Sequence, residues 1–369
     1  MQSYTFVPGK TERHGGKCYI CTRQDVPRPF PYKLDMVLGF RSICRNTNQY
    51  TPMRKLFAFF AMVCCIVLQA APTEENVTLK VNDRVQIQGT LLLPEGVNGA
   101  VPLVIIVAGS GPTDRNGNNP QMENNSLRMT ADSLAAAGIA SLRYDKRGIA
   151  ASRIENLKEE ELIFDDYVDD LNGWVDMYAG DRRFSKIVVL GHSEGSLIGL
   201  AAAQNNPRIE GFISVAGSGR SMDKLLKEQI GRQSSQALTF INPIVDSLKA
   251  GKTVESVMAP FNVLFRPSVQ PFLISCFRHD PAVLISRVEC PVLIVQGDKD
   301  IQVTVADADS LSAANPSARK AVIAGMNHVL KTTDTMDMQA QVIKTYMDPT
   351  LPLNKEFARI IIAFVKDIQ

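Results

Sequence analysis

The strongest chemical signal in the chain is the five residues Gly191-His192-Ser193-Glu194-Gly195. They follow the apolar run KIVVL at 186–190 and open the stretch EGSLIGLAAAQ, so G-x-S-x-G falls between a strand and a helix. A turn this sharp leaves no room for a Cβ on the flanking residues, hence the two glycines. Ser193 would sit in a strained conformation with its hydroxyl at the sheet's carboxyl edge. The free N–H groups of the following helix would face the same point and favour developing negative charge. A serine hydroxyl needs a base to become nucleophilic, and the base needs an orienting carboxylate. After residue 71 the chain has three histidines, His192, His279 and His328. His192 is inside the turn, where its ring cannot easily reach its neighbour, and His279 falls in a long insertion. His328 closes the loop Ala324-Gly325-Met326-Asn327-His328 after the last predicted strand and is the candidate base. The acid should follow the strand PVLIV, where Gln296-Gly297-Asp298-Lys299-Asp300 offers two aspartates. Asp300 is preferred, with Asp298 as the alternative.

The elements that must position these groups alternate regularly. Apolar patterning predicts paired antiparallel strands at 77–81 and 85–93. It then predicts strands at 103–107, 140–144, 186–190, 209–215, 292–295 and 320–323. Helices are predicted at 126–137, 159–177, 194–204, 305–313 and 355–367. Alternation of this kind means an α/β fold, a mostly parallel sheet with helices on both faces. Such sheets bind ligands at the carboxyl ends of their strands. Residues 219–281 interrupt the rhythm with helical segments at 221–231 and 237–250 and prolines at 260, 267 and 271. That length far exceeds an ordinary strand-to-helix connection and predicts an inserted helical lid within one domain, 72–369.

From about residue 75 to its end, the chain resembles secreted α/β-hydrolases of the serine esterase type. The likeness rests on VAGSGPTDRNG, LRYDKRGIAAS, GHSEGS and VLIVQGDKDIQV followed by GMNH. The order Ser193, Asp300, His328 is that of the family, and its G-x-x-D matches Gly297 to Asp300. The resemblance implies the α/β-hydrolase fold and cleavage of small-molecule esters with short or medium acyl chains through an acyl-enzyme, without a cofactor. It also implies an oxyanion hole made by the backbone N–H groups of Ser110 and Glu194. Many members carry a histidine where this chain has Ala108, but a backbone donor does not depend on that side chain. Asp114 and Arg115 are expected either to border the pocket or to form a structural ion pair. Asp145, Lys146 and Arg147 are expected to brace the sheet edge. One alternative is a serine peptidase of aminopeptidase type, which would need a carboxylate cluster to bind a free amine. Asp223, Glu228 and Asp246 in the insertion are scattered rather than paired. The other alternative, a catalytically inactive binding module, is opposed by the intact Ser-Asp-His set.

With 45% hydrophobic and 21% charged residues the chain has the composition of a globular protein. The net charge of +2 is unevenly spread. Residues 1–52 carry 8 Lys and Arg against 3 Asp and Glu, whereas residues 72–369 carry 30 against 35. An acidic body gives no reason to expect a nucleic-acid partner. Residues 53–71 read as a signal peptide: Arg54 and Lys55, an apolar run of 13 residues at 56–68, then Gln69-Ala70-Ala71. The run is too short for a stable membrane span. The reading is an exported protein, periplasmic or secreted, with residues 1–52 an upstream extension outside the fold. Cys18 and Cys21 lack a second pair at ligand spacing, and no metal site is expected. Cys276 and Cys290 read as free thiols.

Overall fold

The computed structural model describes residues 71–368. The expected extension at 1–52 and the expected signal peptide at 53–71, apart from Ala71, lie outside the described residues. Eight strands form one sheet: β1 (Thr73–Lys80), β2 (Gln86–Leu93), β3 (Val101–Val107), β4 (Ala140–Tyr144), β5 (Phe184–His192), β6 (Gly211–Val215), β7 (Val292–Gly297) and β8 (Arg319–Ile323). Their spatial order is β1-β2-β4-β3-β5-β6-β7-β8. β1 pairs with β2, and β2 with β4, antiparallel; every other pairing is parallel.

The continuous apolar runs arise because the central strands are covered on both faces. Along β3, Leu103, Ile105 and Val107 join one core with the helices Phe164–Tyr178 and Glu194–Ala203. Val104 and Ile106 point the other way, into a second core with Ser126–Ala136 and Lys355–Asp367. The period-2 alternation of strand side chains thus produces two cores from one run. β8 closes one edge of the sheet, and four of its five residues retain solvent contact.

Most predicted and observed elements agree, and one difference is informative about helix starts. The helix expected from residue 159 is a short turn at Glu159–Glu161, then extended backbone at Leu162 and Ile163, then the helix Phe164–Tyr178. It begins where side-chain acceptors meet its free amides: Asp166 accepts from the Ile163 N–H and Ser275 Oγ from the Phe164 N–H.

The insertion between β6 and β7 is helical, with its longest helices at Met222–Gln233 and Ala237–Lys249 and shorter ones through Pro281–Ile285. Leu226, Ile241, Val245, Phe265, Leu273 and Phe277 from this segment are buried in the first core. Polar bonds add to the attachment, with His279 Nε2 2.8 Å from Asp165 Oδ1 and Arg266 Nε 2.7 Å from Glu159 Oε2. Cys276 is buried and Cys290 half-buried; neither is in a disulfide. Among the described residues no helix is long and apolar enough to cross a membrane.

Candidate active site

Ser193 follows the last residue of β5 and caps the helix Glu194–Ala203 with φ 55° and ψ −117°. This backbone region is sparsely populated by residues with a side chain, and holding Ser193 there costs on the order of 1–3 kcal/mol. The surroundings enforce it. The Ser193 N–H donates to the Val215 carbonyl at 2.9 Å, tying the turn to β6. A Cβ on Gly191 would stand 2.2 Å from the Gly195 carbonyl oxygen, and one on Gly195 2.3 Å from that of Val107. Both glycines of the motif are therefore steric necessities, as the sequence spacing indicates.

His328 and Asp300 come together from the loops after β8 and β7. His328 Nδ1 lies 2.8 Å from Asp300 Oδ2, and both side chains are almost wholly buried. A carboxylate can only accept, so Nδ1 carries the proton and Nε2 is left as an acceptor. Asp300 is fixed in turn. Its Oδ1 accepts from the Gln302 and Val303 N–H groups at 2.7 and 2.9 Å, and its Oδ2 from Gln296 Nε2 at 3.1 Å. Asp298, the alternative acid, is exposed and accepts from the Gly325 N–H at 2.7 Å. No hydrogen bond joins Ser193 to His328, but both line one cavity.

His192 is placed differently from the other two histidines. Its Nε2 is 2.8 Å from the His328 carbonyl and the two rings are 4.9 Å apart. Burial, and secondarily His328 itself, push the His192 pKa down to about 3. The ring is thus a neutral strut that donates from Nε2 and supports the backbone of the loop bearing His328.

The loop after β3 approaches the serine from the other side. A Cβ on Gly109 would lie 3.2 Å from Ser193 Cβ. The next N–H, that of Ser110, and the N–H of Glu194 have no acceptor among the described residues. Two unpaired amides beside a serine hydroxyl can receive an anion. Asp114 and Arg115, expected either at the pocket border or in an ion pair, line neither cavity at Ser193. Asp114 folds onto its own loop, accepting from the Asn116 and Asn118 N–H groups, and burial raises its pKa. Arg115 pairs with Asp145 at 2.8 Å and donates to Thr90 Oγ1. Asp145 and Arg147 make ion pairs away from the cavities, Arg147 with Asp166 and Asp170 on the helix Phe164–Tyr178 rather than at an edge of the sheet. Lys146 turns inward to Glu194.

The two cavities meet at Ser110, Ser193 and Gln302. One runs beneath the insertion along Leu197, Met222, Leu225 and Pro281. The other holds His328 and is walled by Thr113, Asn119, Asn124 and Tyr346. Sequence reasoning missed Gln296, Gln302 and Tyr346. The first two flank Asp300 within four residues and could have been found as its neighbours. Tyr346 arrives on a short helical excursion, Met338–Tyr346, that carries no apolar periodicity.

The sheet order, the sharp turn after β5 and the cleft at the strands' carboxyl ends define an α/β-hydrolase fold. Residues 123–261 match a family model described as serine aminopeptidase, S33. The chain is similar to the esterase EstD of Thermotoga maritima, 24% identical over 222 residues that make up 60% of this chain and 52% of that protein. The matched chain thus spans about half that relative's length. An esterase of Pyrococcus furiosus superposes with a TM-score of 0.53 at 15% identity, covering 81% of this chain and 91% of that one. Est1E from Butyrivibrio proteoclasticus with ferulic acid bound gives 0.50 at 18% identity, covering 73% and 97%.

Proposed function

We propose that this protein is a serine hydrolase that cleaves carboxylic esters of short or medium acyl chains through an acyl-enzyme. The observation that carries the reading is the strained Ser193 at the junction of two cavities, one of which holds the Asp300-bound His328. Ser193 Oγ attacks the ester carbonyl and His328 Nε2 takes its proton. Asp300 orients the ring and stabilises the imidazolium. The oxyanion is held by the N–H groups of Ser110 and Glu194, each worth about 3–4 kcal/mol in the transition state. His328 then protonates the leaving alkoxide, and water, with His328 again as base, frees the acid. The alcohol must leave beside the proton donor, which assigns it to the half of the cleft that His328 lines. The acyl chain takes the apolar half under Met222 and Leu225.

An aminopeptidase would need a carboxylate free to bind an ammonium group. The acid that lines the cleft is Glu194, and it is paired with Lys146. Asp223 pairs with Lys249, Glu228 with Arg220 and Arg232, and Asp246 with Lys227. The ester reading is therefore preferred. Residues 53–71 support a further proposal, export of the mature chain to the periplasm or beyond. The expected result is turnover of p-nitrophenyl butyrate and covalent labelling by a fluorophosphonate, both abolished by Ser193→Ala. Labelling or near-full turnover in that variant would remove the mechanism.

A further inference from the structure

Lys146 leaves the end of β4 and points into the protein, with a side chain only 2% exposed. Its Nζ donates to the Gly109 carbonyl at 2.5 Å and to Glu194 Oε1 at 3.0 Å, and lies 5.4 Å from the centre of the Tyr167 ring. A buried ammonium is costly to desolvate and is retained only where its partners are well placed. Those partners are notable. The peptide whose carbonyl faces Lys146 is the Gly109–Ser110 peptide, whose N–H is the first proposed oxyanion donor. In a planar trans peptide the carbonyl and the N–H point in opposite directions. A cation on the carbonyl therefore fixes the direction of that N–H away from itself and polarises it, since hydrogen bonds in a chain strengthen one another in a low dielectric. The second partner, Glu194, contributes the other donor from its own backbone. One side chain thus ties together the two separate loops that supply the oxyanion hole.

Given the esterase reading above, on which this inference rests, we propose that Lys146 is a positioning residue that orients and polarises both oxyanion donors. It touches no substrate. Its effect is on the transition state, where the carbonyl oxygen becomes an anion, and hardly on the ground state.

The test compares p-nitrophenyl acetate with its thiono analogue, in which sulfur replaces the carbonyl oxygen and accepts hydrogen bonds poorly. Lys146→Met is the direct variant. It leaves a buried carboxylate unpaired, so Lys146→Met/Glu194→Gln, which removes both charges, carries the measurement if the single variant unfolds. The expected result in a folded variant is a kcat on the oxygen ester reduced about 100-fold with KM little changed. The preference for the oxygen ester over the thiono ester should collapse at the same time. Wild-type kcat, or an equal loss on both esters, would overturn the proposal, as would a double variant unable to fold, which would assign the lysine to the fold. Ser193→Ala in the same assay must be inert; turnover there would fault the esterase reading rather than the role of the lysine.

Discussion

Asp300 receives four hydrogen bonds, from His328 Nδ1, Gln296 Nε2 and the N–H groups of Gln302 and Val303. This saturation separates it from Asp298 more sharply than spacing does. Asp300→Asn would replace one acceptor by an amide and invite the wrong imidazole tautomer, at a cost of about 10³–10⁴-fold in kcat. Asp298→Asn keeps an oxygen for the Gly325 N–H and should change kcat by less than about 3-fold. Comparing kcat for the two variants checks this, and a crippling Asp298→Asn would move the acid to that residue. The serine and its two proposed partners were legible because the chemistry admits few residue types and the chain after residue 71 has three histidines. Lys146 was not legible as part of the site. Its partners lie 37 and 48 positions away, at the ends of two other strands, and only the parallel sheet brings them together.

At the level of elements, the strands and helices could be read from apolar periodicity because both faces of the sheet are covered. The excursion at Met338–Tyr346 could not, because it is held by polar bonds. Gln341 donates to the Lys299 and Thr335 carbonyls and Asn327 to Thr345 Oγ1. The insertion was legible by its length and is helical as expected, and it packs into the first core. Its buried residues complete the first core, so excising it would strip that core of its cover. Substitutions in the cleft are the better probe of specificity. Leu225→Ala opens the proposed acyl half and should raise the octanoate-to-butyrate ratio of kcat/KM about 10-fold. Removing a buried leucine should also cost about 2–5 kcal/mol of stability. Ester series on the purified variant give the ratio; if it stays constant in folded protein, the insertion does not set chain length.

For the molecule as a whole, His192 links acidity to stability. In the unfolded chain its ring should titrate near ~6.5, and in the fold its pKa is pushed down to about 3. Between these values the unfolded chain binds the extra proton, so stability from this group is intact above ~6.5 and drains as pH falls towards 3. The slope approaches about 1.4 kcal/mol per pH unit. Thermal unfolding between pH 7 and 4 should therefore show a steeper fall in Tm for the wild type than for His192→Gln. Parallel curves would mean that another group carries the dependence.

The exposed edge strand β8 has a consequence for how the molecule fails. It delivers the loop that ends in His328, while the single tryptophan, Trp174, is buried in the first core on the helix Phe164–Tyr178. Edge strands with solvated backbone open at lower free energy than the centre of a sheet. The proposed general base thus hangs from an edge of the sheet. Turnover reports whether the margin is closed, while the tryptophan reports only whether the centre holds. Under mild denaturing stress the population would pass through molecules that are folded by every optical measure and yet idle, and recovery would need only the margin to reseal.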